Sequence, residues 1–269
     1  MKPDLEILTR LLALLTLIFT LATGVTRNDI ATAQKTGASF EATTKMIAVA
    51  DELLYSYDKD EYNLVISCLG DSITAGFGGY ASYPGYMGKI LDAQVVNLGI
   101  KGSTMAWDGS DPMVGRYYEI PFNSDVIFLY GGVNDSVGLT DQNFGDEDTP
   151  YSFCGSVRTL LTGIQERYPE AYFVVVIPPP IAGFDDYQSR NSKLYDQNVL
   201  REELIRQCRE LQIDMLDLYN MNVMNPLDEK VRTEYFGDNI HPNDEGFKVL
   251  GMLLAAKVAK HAQEGGFGY

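Results

Sequence analysis

Two distant segments of the chain carry residues that suit nucleophilic chemistry at a carbonyl group. Ser72 follows the apolar run 64–69 in a Gly-Asp-Ser turn, where a sheet can display a hydroxyl group at its carboxyl edge. Near the other end, Asp238 and His241 lie three residues apart, just before a helical pattern. A serine hydroxyl is a poor nucleophile until a neighbouring base accepts its proton, and a carboxylate orients that base. Gly-Asp-Ser alone is also typical of an ordinary turn, but with the distant pair it predicts a Ser-His-Asp triad.

The choice of base is narrow because the chain has only two histidines. His261 lies near the end of a C-terminal helical pattern, beside Lys260 and before a glycine-rich tail. A cation at that place favours a helix dipole, so we expect His261 to be a solvated helix-end cation. His241 is then the predicted base, and the alternative for it is a loop histidine that caps or packs locally.

Two further turns could supply hydrogen-bond donors for a tetrahedral oxyanion. Gly102 follows the short apolar run 94–98 and could offer a backbone N–H group, and Asn134 follows the apolar run 125–130 and could offer its side-chain amide. An oxyanion needs two or three fixed donors of this kind. Either segment alone is equally typical of a turn at the end of a strand.

The four segments, in this order, closely resemble the SGNH (GDSL-type) hydrolase family over roughly residues 62–260. Ser72 matches the nucleophile of the first block, Gly102 and Asn134 match the second and third blocks, and His241 with Asp238 matches the fifth. The resemblance implies a serine esterase with an acyl-enzyme intermediate. It also implies an oxyanion hole formed by the Ser72 N–H, the Gly102 N–H and the Asn134 side chain. The chain lacks Gly-x-Ser-x-Gly at Ser72, which argues against the α/β-hydrolase fold.

The resemblance, together with the export expected from the amino-terminal region, implies a carboxylic ester of a small molecule or a glycan and favours short acyl (acetyl) groups on carbohydrate. No long apolar lid follows the predicted strands, so a lipase for long acyl chains is less attractive. The pocket is predicted to include four residues near the motifs: Asp71, Met105, Trp107 and Ile240. Trp107 could stack on a sugar ring or form the floor of an acyl pocket, or it could simply be packed.

Other functions stay open at this point. The same site could transfer an acyl group to a sugar, or it could belong to a lysophospholipase or thioesterase. A glycan-binding module without enzymatic activity is a further alternative.

Composition excludes some partners and gives no sign of a metal. The net charge is 21 − 37 = −16, which opposes binding to nucleic acid because phosphate affinity comes from basic side chains. The run 146–148 lacks the alternating spacing of a calcium loop, and the three cysteines form no Cys-x-x-Cys pair. We expect no metal, no cofactor and buried thiols, including Cys68, which has no base placed to activate it.

Apolar runs that alternate with helical patterns predict a three-layer α/β/α fold with a five-stranded parallel sheet, doubly wound and flavodoxin-like. The predicted strands are 64–69, 94–98, 125–130, 171–177 and 213–218, and the predicted helices are 82–92, 152–167, 190–211 and 243–261, the last capped by Asn243. The nucleophile and the oxyanion donors would then lie in the crevice at the carboxyl edge of the sheet.

The amino-terminal region predicts export to the cell surface or beyond. Residues 11–25 are mostly apolar, so 1–25 is read as a signal peptide or an N-terminal anchor helix that could hold the protein to a membrane. Residues 26–61 are read as a linker, over 26–40, and an amphipathic helix, which could dock on the catalytic domain or support a homo-oligomer. The catalytic domain is predicted over 62–262, followed by a glycine-rich tail over 263–269.

Overall fold

The computed structural model describes residues 37–79, 81–107, 110–182 and 195–267. Its centre is one parallel sheet of five strands: β1 (Val65–Gly70), β2 (Gln94–Gly99), β3 (Val126–Tyr130), β4 (Tyr172–Ile177) and β5 (Asp214–Asp217). The strand order is β2-β1-β3-β4-β5, which is the flavodoxin-like, doubly wound order. The predicted fold class is therefore confirmed, and each predicted strand is present to within one or two residues at its ends.

Helices cover both faces of the sheet. They are α1 (Ala38–Tyr55), α2 (Ser72–Ala75), α3 (Tyr83–Leu91), α4 (Asp141–Phe144), α5 (Phe153–Arg167), α6 (Gln197–Glu210), α7 (Glu229–Tyr235) and α8 (Asp244–Gln263). Short 3-10 turns span Met113–Gly115, Tyr117–Glu119 and Asn134–Ser136. Helices α1, α3, α7 and α8 pack on one face, and α5 and α6 pack on the other. The predicted helix 190–211 is shorter in the described residues, because Asp196 caps it by accepting the N–H of Asn198, and 190–194 lie outside them.

The hydrophobic core has two parts that the sheet separates. Alternate side chains of each strand point to opposite faces, so Phe128 and Val174 pack in one part while Leu129 and Val175 pack in the other. All four side chains are fully buried. Strands buried on both faces must be apolar at successive positions, which explains the continuous apolar runs in the sequence.

Helix α1 docks on the catalytic domain through polar contacts as well as apolar ones. The buried hydroxyl groups of Ser39 and Thr43 accept hydrogen bonds from the backbone N–H groups of Asn225 and Met224, at 3.0 and 2.9 Å. The helix begins at Ala38, so the predicted linker over 26–40 was wrong in its last residues. The predicted docking is present, and self-association of the chain stays a prediction.

His261 has a different environment from the one predicted. It does lie in the last turn of α8, but its ring stacks on Tyr172 of β4 with 3.7 Å between centroids and 1° between planes. Burial lowers the pKa of His261. The expectation of a solvated cation was therefore wrong, because a side chain from the neighbouring strand end covers the ring.

The structure tests only some of the remaining predictions about the chain. Cys68, Cys154 and Cys208 are buried free thiols, as expected. Within the described ranges, no helix combines the length and apolar character needed to cross a membrane. The predicted signal or anchor segment 1–25 lies outside the described residues, so export stays a prediction.

Candidate active site

The serine turn is held tightly against the ends of two strands. Helix α2 begins at Ser72, directly after β1, and two glycines permit its close approach to the sheet. A Cβ atom on Gly70 would lie 2.0 Å from the Thr74 hydroxyl oxygen, and one on Gly99 would lie 2.2 Å from the backbone nitrogen of Ala75. Neither position has room for a side chain. The serine hydroxyl is thus presented at the carboxyl edge of the sheet by rigid neighbours.

Ser72, His241 and Asp238 form a continuous chain of hydrogen bonds. The Ser72 Oγ atom lies 3.0 Å from Nε2 of His241, and Nδ1 of His241 lies 2.8 Å from Oδ2 of Asp238. A carboxylate can only accept, so Nδ1 carries the proton and Nε2 is left as an acceptor for the serine O–H. This is the tautomer that a general base requires.

The Asp238 carboxylate is fixed on both of its oxygens. Its Oδ1 accepts the backbone N–H groups of Ile240 and His241 at 2.7 and 2.6 Å, while Oδ2 faces the ring. Burial by itself would raise the pKa of Asp238, but these hydrogen bonds outweigh it and hold the pKa below its ordinary value. The carboxylate therefore stays ionised next to the imidazole, where it can stabilise an imidazolium ion.

The loop that carries the histidine connects α7 to α8 and is pinned at several points. The N–H of Gly237 donates to the carbonyl of His241 at 2.9 Å, and the N–H of Ala182, which follows β4, donates to the carbonyl of Asn239 at 3.0 Å. Asn243 closes the loop by capping α8. Such a loop holds the imidazole in place before any substrate arrives, which favours catalysis.

The three predicted oxyanion donors follow β1, β2 and β3, which are adjacent in the sheet. Among the described residues, the backbone N–H groups of Ser72 and Gly102 form no hydrogen bond. Gly102 has φ +78°, a conformation that glycine adopts without strain. The Asn134 amide donates one N–H to the carbonyl of Ser103 at 2.9 Å, which leaves its second N–H available. The arrangement can supply three donors to a developing oxyanion.

Of the four residues predicted to line the pocket, two are not accessible. Asp71 is 1% exposed and caps α2 by accepting the N–H of Ile73, and Met105 is 0% exposed within the core. Both predictions were wrong, because these side chains point into the protein from the turns that carry them. Trp107 is 43% exposed, and Ile240 is half-buried beside the histidine.

Asp71 belongs to a pair of buried carboxyl groups beneath the site. Burial, with a smaller contribution from the nearby carboxyl group of Asp135, raises the pKa of Asp71 to about 7, against the hydrogen bond from the N–H of Ile73. Burial also raises the pKa of Asp135 to about 6, against hydrogen bonds from the N–H groups of Met105 and Ala106. Asp135 thus holds the loop that follows Gly102, a function that sequence reasoning did not assign to it.

Arg116 is a second residue that sequence reasoning missed. Its guanidinium is buried and donates to the carbonyl groups of Gly70 and Leu98, at 2.9 and 2.7 Å, and to Oγ of Ser103 at 3.1 Å. It therefore ties together the ends of β1 and β2 and the turn after Gly102. Its partners are mostly backbone carbonyl groups, which leave no signal in a sequence.

A narrow apolar crevice lies next to residues that flank the proposed catalytic groups in the sequence. Three residues that line it are sequence neighbours of the proposed catalytic groups: Ile73 follows Ser72, Val133 precedes Asn134, and Ile240 precedes His241. Its free volume is about 10 Å³, the space that one water-sized group occupies. In the described part of the chain, no cluster of three or more His, Cys, Asp or Glu side chains is arranged to hold a metal ion, and the expected lack of a metal or cofactor stays a prediction.

Comparison with known proteins gives the same family as the sequence motifs. The profile of the GDSL-like Lipase/Acylhydrolase family matches residues 68–249. An acetylxylan esterase from Xylanibacter ruminicola is 24% identical over 218 residues, which is 72% of this chain but 42% of that protein. The chain therefore spans about two-fifths of the length of this curated relative.

Solved structures share the fold. A protein from Lactobacillus plantarum superimposes with a TM-score of 0.63 and 28% identity, covering 74% of this chain and 98% of that one. A carbohydrate acetylesterase from Sinorhizobium meliloti gives a TM-score of 0.51 at 19% identity, covering 74% of this chain and 99% of that one. The triad geometry and the strand order agree with the family profile: the chain belongs to the GDSL-like lipase/acylhydrolase (SGNH) family.

Proposed function

We propose that this protein is an esterase that removes acetyl groups from carbohydrate through a Ser72-His241-Asp238 triad. The observation that carries the proposal is the unbroken contact of Ser72 Oγ with His241 and of His241 with Asp238, at 3.0 and 2.8 Å. The contacts support the esterase chemistry, and a small apolar crevice nearby supports the preference for a short acyl group.

The mechanism follows from the positions of the donors and acceptors. His241 Nε2 takes the proton of Ser72 as its oxygen bonds to the ester carbonyl carbon, and the carbonyl oxygen becomes an oxyanion. The N–H groups of Ser72 and Gly102 and the amide of Asn134 donate to that oxyanion. The imidazolium then gives its proton to the departing sugar oxygen, which leaves an acetyl-serine. His241 activates a water molecule that releases acetate and restores the serine.

The size of the crevice favours a short acyl group. Its walls are apolar, and the residues at its edge, Ile73, Val133 and Ile240, each lie next to a proposed catalytic residue. A free volume of about 10 Å³ holds about one water-sized group, so the crevice leaves room for only the smallest acyl groups. A long acyl chain would have to displace buried side chains such as Leu218 and Leu250, which costs packing energy.

Two exposed aromatic residues offer a surface for the sugar. Trp107 and Tyr151 pack edge to face, with 6.2 Å between centroids, and are 43% and 71% exposed. A second cavity, of about 260 Å³, is lined by Ala106, which directly precedes Trp107, and by Thr104 and Asp135, among others. Aromatic faces with polar groups nearby suit sugar rings, which have apolar faces and hydroxyl edges. The resemblance to an acetylxylan esterase supports the same substrate class.

The test combines active-site labelling with a substrate panel. A fluorophosphonate probe should label the wild-type protein and Ser56→Ala, which changes an exposed serine at the end of α1, but not Ser72→Ala. Wild-type protein should hydrolyse 4-nitrophenyl acetate much faster than the butyrate or palmitate, and should release acetate from acetylated xylan. Labelling of Ser72→Ala equal to wild type, or activity confined to long acyl chains, would contradict the proposal. Transfer of acetyl to an added sugar instead of water would identify an acyltransferase.

A further inference from the structure

An aromatic ring lies flat on the imidazole of the proposed base. The centroids of Phe77 and His241 are 3.7 Å apart, and their planes differ by 8°. This separation is about the van der Waals contact distance of carbon atoms, so the two rings lie almost directly above one another. Phe77 is not part of the triad or of the proposed oxyanion hole.

The turn that presents Phe77 is continuous with the turn that presents the nucleophile. Phe77 comes two residues after the end of α2, between Gly76 and Gly78, whose φ angles are +95° and +66°. Glycine adopts such angles readily, so the chain can reverse sharply and bring the ring back over the site. Ser72 and the ring that covers its base are therefore carried by one short segment.

A face-to-face stack also forms with an uncharged imidazole, as His261 shows on Tyr172, but it holds a charged imidazole more strongly. Neutral aromatic rings prefer offset or edge-to-face arrangements, because the negative faces of two rings repel each other. A cation above the same face is attracted to it. His241 becomes an imidazolium ion each time it accepts the proton of Ser72. The stack is therefore strengthened at the moment of reaction, and only an interaction of that kind lowers a barrier.

The same ring also contacts the turn of a proposed oxyanion donor. The Lys101 ammonium lies 5.7 Å from the centroid of Phe77, within the range of a cation–π interaction. Lys101 directly precedes Gly102. Phe77 thus connects the histidine loop to the turn that follows β2.

We propose that Phe77 is a positioning residue for the reaction: its ring fixes the plane of the His241 imidazole and stabilises the imidazolium through its π face. The inference rests on the proposed esterase function, because it takes His241 as the base. It adds a residue that neither the motifs nor the triad contacts assign.

Fluorinated phenylalanines separate the electrostatic effect from packing. One, two and three fluorine atoms on the ring of residue 77 withdraw electron density from its face step by step, with little change of shape. For 4-nitrophenyl acetate, we expect kcat to fall at each step, by about 3- to 10-fold with three fluorines, while KM stays within about twofold. Phe77→Leu should lose about 10-fold or more in kcat, and Phe77→Trp should keep most of it.

Phe122 provides a matched control. It is an exposed phenylalanine whose ring also carries a cation, with the Arg167 guanidinium 4.3 Å from its centroid. It precedes β3 and so lies at the opposite edge of the sheet from the site. The same fluorinated series at residue 122 should leave kcat unchanged within twofold.

The outcome of the series decides the inference separately from the proposed function. Turnover of acetyl ester by the wild-type protein and its labelling at Ser72 are measured first and test the esterase. If the wild-type enzyme is active but kcat does not change across the fluorinated series at residue 77, the inference is overturned. This holds even if Phe77→Leu is slow, because packing alone would then explain that loss. A stepwise fall at residue 77 but not at residue 122 would support it.

Discussion

Removal of the Asn134 side chain is the most direct test of the proposed oxyanion hole. Asn134 donates one N–H to the carbonyl of Ser103 at 2.9 Å, and its second N–H is assigned to the oxyanion. Asn134→Ala removes both donors at once. The two losses affect different quantities, because the first bond exists in the resting protein and the second forms only when charge develops on the substrate.

The expected effect on kcat is larger than the expected effect on the free energy of unfolding. Loss of one oxyanion donor reduces kcat by about 10²–10³-fold, which is about 2.7–4 kcal/mol of barrier. KM should stay within about threefold, since a neutral ester carbonyl gains little from that donor. Loss of the bond to Ser103 should lower the free energy of unfolding by about 0.5–1.5 kcal/mol. The folded fraction at 25 °C hardly changes for a protein of ordinary stability.

Gln197→Ala is the matched control, because Gln197 donates hydrogen bonds to the same turn but is not assigned to the oxyanion. Its Nε2 donates to the carbonyl of Val133 at 2.6 Å and to Oγ of Ser136 at 2.9 Å, on either side of the Asn134–Asp135 pair. We expect a loss of about 1–3 kcal/mol in unfolding free energy, with kcat within about threefold of wild type. Steady-state kinetics on 4-nitrophenyl acetate and urea unfolding measure both quantities. A kcat for Asn134→Ala within tenfold of wild type, or equal losses of kcat in the two variants, would refute the assigned role.

Two further predictions concern buried charges. The pKa of Asp71 is raised by burial to about 7 from an ordinary 3.8, so the folded state favours the protonated form, and its contribution to stability is lost as pH rises from about 4 to 7. The Tm of wild type should therefore fall more between pH 5 and pH 8 than the Tm of Asp71→Asn, which stays neutral and can still cap Ile73; equal slopes would count against this. Arg116→Met should lower the free energy of unfolding by about 3 kcal/mol in urea titrations, because it removes buried hydrogen bonds to the Leu98 carbonyl, to Oγ of Ser103 and to the Gly70 carbonyl, which keeps only the N–H of Ile100. A loss below 1 kcal/mol would show that water replaces the guanidinium.

The sequence predicted for a physical reason that the residues of the site come together. Parallel strands end at the same edge of a sheet, so a serine after β1 and an asparagine after β3 must be close once the strand order is flavodoxin-like. A spacing of three residues lets Asp238 reach the ring of His241 within one turn. Both arguments need only the order of the strands and the spacing of residues along the chain, and the apolar runs in the sequence reveal the strands well.

The predictions that were wrong or absent concern the direction of a side chain or contacts between residues that are far apart in the sequence. Asp71 is the immediate neighbour of Ser72, yet it points inward, because the turn after β1 sends successive side chains to opposite sides. Arg116 has main-chain partners, and His261 is covered by Tyr172 from another layer of the fold. No local pattern encodes such pairings, since each is set by how distant elements pack.

The contacts of α1 bear on how shortened versions of the protein should be designed. The helix ends at Tyr55, before the family match begins at residue 68, so trimming by homology would remove it. Its hydroxyl groups satisfy the buried N–H groups of Met224 and Asn225, and the N–H of Phe40 donates to Asp228, which also caps α7. Helix α7 leads directly into the loop that carries the histidine. An expression boundary placed before Ala38 therefore preserves a brace for the catalytic loop that the family motifs do not reveal.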